Sequence, residues 1–153
     1  MKLALLSVLA LIVLSTAIAE PIRLHQDNPH YFQFQGRPTV LITSTEHYGA
    51  VLNPDFDFIL YLDTLKAAGL NLTRTVNGNF LEATNAVLWR GGDQNPLAPR
   101  LGRYLAPWKR SNQPGYYAGG NKFDLDQWEE NYFRRLQDFV RAAGERGIML
   151  GIQ

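Results

Sequence analysis

The stretch Ala67-Ala68-Gly69-Leu70-Asn71-Leu72-Thr73-Arg74-Thr75 constrains this chain more than any other. It predicts the end of a helix, a glycine stop, and a short apolar strand with an arginine at its far end. Gly69 suits the left-handed position just past a helix terminus. Residues 70–76 are too few for a helix and rich in strand formers, and alternation puts Leu70, Leu72, Arg74 and Val76 on one side. A helix feeding a buried strand is the basic unit of α/β folds, whose ligands gather at the carboxyl ends of the strands. Arg74 sits at such an end and is the first candidate site residue. The competing role is an ion pair that only closes the sheet.

Residues 1–19 carry Lys2, an apolar run over 3–13 and small residues at Ala17 and Ala19. That is the pattern of a secretory signal peptide with an Ala-x-Ala cleavage site. The mature chain is then expected to begin near Glu20, in a protein that is secreted or periplasmic. The apolar run is too short for a confident membrane span, so no membrane partner is expected once the signal is removed. There is no cysteine, and burial rather than cross-linking must stabilise the exported chain. With 46% hydrophobic, 12% aromatic and 19% charged residues and a net charge of +1, the composition is that of a globular domain. It argues against a nucleic-acid partner, which would require a basic stripe. No cofactor and no metal site is expected.

Residues 30–44 predict a hairpin: Tyr31, Phe32 and Phe34 lead into Gln35-Gly36, and residues 39–43 follow as a buried strand. Pro38 is tolerated at the strand's entry. The strand releases into Ser44-Thr45-Glu46-His47-Tyr48-Gly49, where polar, titratable and aromatic side chains arrive together. Glu46, His47 and Tyr48 form a second candidate site edge, although each also fits as a solvated acid, a satisfied loop histidine or a rim packer. Asn53-Pro54 predicts a helix start. Phe58, Ile59, Leu62, Leu65 and Gly69 then share one face, with Asp57 and Thr64 opposite.

Residues 77–125 are loop-like and unusually long for a connection. They hold Trp89, Tyr104, Trp108, Tyr116 and Tyr117 among glycines and prolines, an aromatic load that disordered segments lack. A functional loop over a site accounts for this better. Amphipathic rings with hydrogen-bonding groups between them suit a sugar, whose C–H faces pack on rings. Asn77, Trp89, Trp108 and Tyr116 therefore join the candidate substrate-binding residues; the other role for these rings is to anchor the loop. Asp126, with Glu129 three residues on, predicts the cap of a second helix. Trp128, Tyr132, Phe133, Leu136, Phe139, Val140 and Ala143 fall on its apolar face. Gly147 ends that helix, and residues 148–152 begin a third buried strand.

Strands near 39–44, 70–76 and 148–152 are expected to be parallel and adjacent, with helices near 54–68 and 126–146 on one outer face. Such apolar strands need neighbours on both sides, and three alone would leave an open edge. A (β/α)₈ barrel needs about 250 residues. The expected fold class is α/β: the N-terminal part of a (β/α)₈ TIM barrel, its first three strands behind a closing hairpin. Residues 20–153 are then the first portion of a single domain.

Through Gly69, Asn71 and Arg74 the chain resembles the cellulase-like clan A of glycoside hydrolases, whose second strand commonly reads Gly-x-Asn-x-x-Arg. The hairpin with Gly36-Arg37-Pro38 is similar to the one that closes the bottom of such barrels. The resemblance implies retaining hydrolysis of O-glycosidic bonds in a poly- or oligosaccharide, by two carboxyl groups about 5–5.5 Å apart. It also implies that Arg74 hydrogen-bonds the nucleophilic carboxylate. The family's two catalytic glutamates end its fourth and seventh strands, so they are expected beyond residue 153, and residues 1–153 alone are expected to be inactive. No fixed family pattern corresponds to Glu46-His47. Two other functions fit the residues: a non-catalytic carbohydrate-binding barrel, and an unrelated small α/β domain. Asn71-Leu72-Thr73 is a formal glycosylation sequon, expected to stay unmodified inside a buried strand.

Overall fold

The structure is a computed structural model that describes residues 21–43, 49–76 and 98–153. The chain divides into two compact units, Met1–Val40 and Leu41–Gln153. In the first, β1 (Arg23–Leu24), β2 (Phe32–Phe34) and β3 (Arg37–Thr39) form an antiparallel sheet in that order. Gln35 and Gly36, at φ 49° and 72°, connect the paired residues Phe34 and Arg37. Positive φ at both central positions is the mark of a type I′ turn, whose twist matches the flanking strands. Pro38 is tolerated because β3 is an edge strand. The strand stops at Thr39, so the buried strand expected over 39–43 does not form; Val40 and Ile42 are 54% and 50% exposed.

The second unit contains α1 (Gly49–Leu52), α2 (Phe58–Ala67), β4 (Leu72–Thr75), β5 (Trp108–Pro114), β6 (Asn121–Trp128), α3 (Glu130–Glu145) and β7 (Met149–Ile152). Its core joins the single turn of α1 (Ala50, Val51, Leu52) to Leu62 and Leu65 of α2 and to Tyr132, Phe139 and Ala143 of α3. Burying each leucine or phenylalanine contributes about 1.5–3 kcal/mol. Phe58 meets Phe139 edge-on at 5.4 Å between centroids.

Helix α2 begins later than Asn53-Pro54 predicts. The Asn53 side chain instead closes a turn, accepting from the Asp55 N–H at 3.0 Å. Asp57 takes over as N-cap and accepts from the Leu60 N–H at 3.0 Å. The inward positions are Phe58, Tyr61, Leu62 and Leu65, while Ile59 points out at 43% exposure. Tyr61 takes the inward place because its hydroxyl reaches Thr73 Oγ1 on β4 at 2.6 Å. Helix α3 likewise starts at Glu130, not near Asp126, because the residues up to Trp128 are committed to β6; Glu129 caps it through the Asn131 N–H at 3.0 Å.

Both helices end in the same way. Gly69 (φ 73°) donates to the Lys66 carbonyl and Leu70 to that of Leu65. Gly147 (φ 71°) donates to Gly144, and Ile148 to Ala143. These are Schellman closures, which need the left-handed residue that glycine supplies at no steric cost. Each turns the chain into a strand. The two strands, β4 and β7, pair in parallel with Leu72 opposite Met149, Thr73 opposite Leu150, Arg74 opposite Gly151 and Thr75 opposite Ile152.

The expected share of a (β/α)₈ TIM barrel is not what forms. The described residues give an antiparallel three-stranded sheet, one parallel pair and an antiparallel hairpin, with three helices and no repeating strand–helix alternation. The deciding departure is the hairpin β5–β6, which occupies residues read as loop between β4 and α3. Ile42 does lie beside β4, exchanging hydrogen bonds with Asn71, but without strand geometry.

Arg135 of α3 ties these parts together. Its Nε donates to the Ala50 carbonyl at 3.1 Å, and its Nη2 donates to the carbonyls of Asn53 and Phe56 at 3.0 and 2.7 Å. The guanidinium also lies 4.9 Å from the Phe58 ring centroid. One side chain thus satisfies the carbonyls at the end of α1 and in the turn leading to α2. Arg135→Ala would remove all three of these charge-assisted hydrogen bonds in a half-buried place. It is expected to lower stability by about 2–4 kcal/mol, whereas Arg141→Ala, which breaks an exposed pair with Asp138, should stay within about 0.5 kcal/mol. Urea unfolding of the two variants checks this; equal, small effects would contradict it.

Candidate functional site

Strand alternation on β4 divides its side chains. Thr73 and Thr75 are fully buried on one face, and Arg74 is exposed on the other. Thr75 Oγ1 is a buried hydroxyl with no hydrogen-bond partner in the described structure. Arg74 faces Gly151 across the parallel ladder, and its aliphatic stem lies over that glycine. The sequence placed Arg74 at a strand's carboxyl end on the face opposite the two threonines, and that is where it stands.

A pocket of about 310 Å³ opens elsewhere, lined by Pro107, Trp108, Trp128, Tyr132, Phe133, Leu136 and Ile152. The hairpin base supplies the tryptophans, and the first two turns of α3 supply Tyr132, Phe133 and Leu136. The two indoles lie nearly parallel, 6.3 Å apart at 19°, and Phe133 meets Trp128 edge-on at 5.6 Å. Trp128 is 61% exposed although it crowns an aromatic cluster. Ile152 pairs with Thr75, so alternation puts it on the sheet face opposite Arg74. Trp108 and Arg74 are therefore not drawn into one cleft by the described residues.

Tyr116 belongs to a third arrangement, within the hairpin. Arg110 lies 4.9 Å from the centroid of the Tyr116 ring and 4.0 Å from that of Phe123. Its guanidinium donates to the carbonyls of Asn121 and Tyr104 at 2.5 and 3.2 Å. Tyr104 stacks on Tyr116 at 6.1 Å. A cation beside aromatic rings is stabilised by their quadrupoles, most when partly desolvated. Tyr116 thus packs inside its own hairpin, the anchoring role, while Trp108 lines an open pocket. Glu46, His47, Tyr48, Asn77 and Trp89 lie outside the described residues.

Sequence reasoning missed Trp128, Phe133 and Gly151. Helical spacing puts the first two on the apolar face of the second helix, and periodicity cannot distinguish a ring facing the core from one lining a pocket beside it. Gly151 carries no pattern of its own and becomes visible only through the register. Among the described residues no group of three His, Asp or Glu side chains could hold a metal ion.

No family model and no curated protein matches the chain. A crystal structure from Bacteroides vulgatus ATCC 8482, provisionally named a glycoside hydrolase, is similar to it with a TM-score of 0.59 and 15% identity. The similarity covers 88% of this chain and 24% of that one. At that identity it establishes a shared fold. The chain spans about a quarter of the length of that protein.

Burial, reinforced by the neighbouring Tyr117, pushes the Tyr116 hydroxyl up to about 12 from its ordinary 10.0. Tyr104 and Tyr132 are raised in the same direction by burial. A pKa raised in the folded state contributes stability that is full below the unfolded value and lost as pH rises through the folded one. The melting temperature should therefore fall between pH 10 and about 12, and Tyr116→Phe should remove part of that fall. Thermal melts across this window check it, and a slope unchanged by the substitution would contradict it.

Proposed function

We propose that the full-length protein is an exported glycoside hydrolase. The observation that carries this reading is the fold shared over 88% of the chain with a protein provisionally named as one. The finer assignment, to the cellulase-like clan A with retaining chemistry, rests on Gly69, Asn71 and Arg74 in their motif spacing. In that chemistry one carboxylate attacks the anomeric carbon while a second carboxyl protonates the leaving oxygen. Arg74, held at the end of β4, is assigned to the nucleophile. A guanidinium fork stabilises the ionised carboxylate by opposite charge and by two charge-assisted hydrogen bonds.

Trp108 and Trp128 are assigned as platforms for sugar rings, since a pyranose packs its C–H face on an indole. Glu46, His47, Tyr48, Asn77 and Trp89 are assigned to substrate contacts. A second reading is a non-catalytic carbohydrate-binding protein. It is favoured by the pocket itself, whose lining contains rings and aliphatic groups and no carboxylate.

The test is hydrolysis of aryl glycosides and plant oligosaccharides by the full-length protein. Arg74→Ala is expected to lower kcat/KM by about 10²-fold with an unchanged circular dichroism spectrum. Arg74→Lys should recover only part, because it keeps the charge and loses the fork. Saturable sugar binding without turnover would favour the second reading. Turnover by Arg74→Ala at the wild-type rate would overturn the role given to Arg74.

A further inference from the structure

We propose that Gly151 is the positioning residue for Arg74: its missing side chain forms the seat across which the arginine stem lies, and so sets where the guanidinium points. The proposal rests on the role given to Arg74 above. A Cβ added at Gly151 would lie 3.2 Å from Arg74 Cγ, and 3.8 Å from both Arg74 Cδ and the Thr73 carbonyl oxygen. The 3.2 Å contact is tighter than ordinary van der Waals packing. The neighbour that must yield is Cγ, one bond from the root of the side chain, and not the flexible far end.

The backbone of Gly151 is not left-handed, and the residue sits in a regular parallel ladder opposite Arg74. Nothing in its own conformation calls for glycine. The requirement comes from across the ladder. Moving Cγ by a few tenths of an ångström means turning the first side-chain torsion, and the guanidinium lies several times farther from that axis. Its displacement is about 1 Å, and a misplacement of that size can cost about 10²-fold in rate. Gly144 contrasts with this, since a Cβ there would meet nothing within 4 Å.

The experiment compares kcat/KM and its pH profile in the full-length protein for wild type, Gly151→Ala, Gly151→Ser, Arg74→Ala, and Gly151→Ala combined with Arg74→Ala. Gly144→Ala serves as the control and should match wild type. Gly151→Ala and Gly151→Ser, which add the same Cβ, are expected to lose about 10- to 10²-fold. The acid limb of the profile should move to higher pH, as it does for Arg74→Ala, because withdrawing a cation raises the pKa of the carboxylate it served. The two losses should not add in the double variant. If Arg74→Ala loses activity while both Gly151 variants keep the wild-type rate and limb, the seat is overturned and the role of Arg74 stands. Losses that add in full overturn it as well. Wild-type activity in Arg74→Ala removes the role of Arg74 and the seat with it.

Discussion

The parallel pairing of β4 with β7 joins segments that lie far apart in sequence, and the rest of the second unit follows from its register. Each strand is delivered by a helix that closes on a left-handed glycine, Gly69 or Gly147. The closure fixes where the chain leaves the helix, so it fixes which residue enters the ladder first. A slip of one residue would exchange the two faces of each strand. It would expose Thr73, whose hydroxyl is bonded to Tyr61, and bury the Arg74 cation. Taking a guanidinium out of water costs far more than the slip could recover. The register is therefore held from both faces.

Much of this was legible. The glycine stops, the strand alternation around Arg74 and the amphipathic character of α3 come directly from spacing and residue type. The hairpin β5–β6 was not legible, because β5 carries Lys109, Arg110, Ser111, Asn112 and Gln113 and shows no apolar alternation. Its cohesion comes from Arg110 packed against the rings of Tyr116 and Phe123, which also meet each other edge-on. Arg135 was hidden for a similar reason. An arginine on a helix looks solvated in sequence, and only the fold reveals the three carbonyls it serves. Tyr61 displaced Ile59 from the inward face through a single hydroxyl partner, a preference that hydrophobic periodicity does not weigh.

The candidate site was legible in part. Arg74 stands on the face where alternation puts it, and Trp108 lines an apolar pocket. Tyr116 packs within its hairpin. The barrel expected around them failed because an antiparallel hairpin fills residues read as loop. What remains is an arginine on one face of a parallel pair and an aromatic pocket on the other.

The claim on which all of this depends is that Arg74 lies over Gly151. Side-chain nuclear Overhauser effects measure it directly. With the register described, the γ and δ protons of Arg74 should give strong cross-peaks to the α protons of Gly151, since a Cβ placed there would be 3.2 Å from Arg74 Cγ. Cross-peaks from Arg74 to Leu150 or Ile152 in place of Gly151 would mean a slipped ladder and would contradict the account.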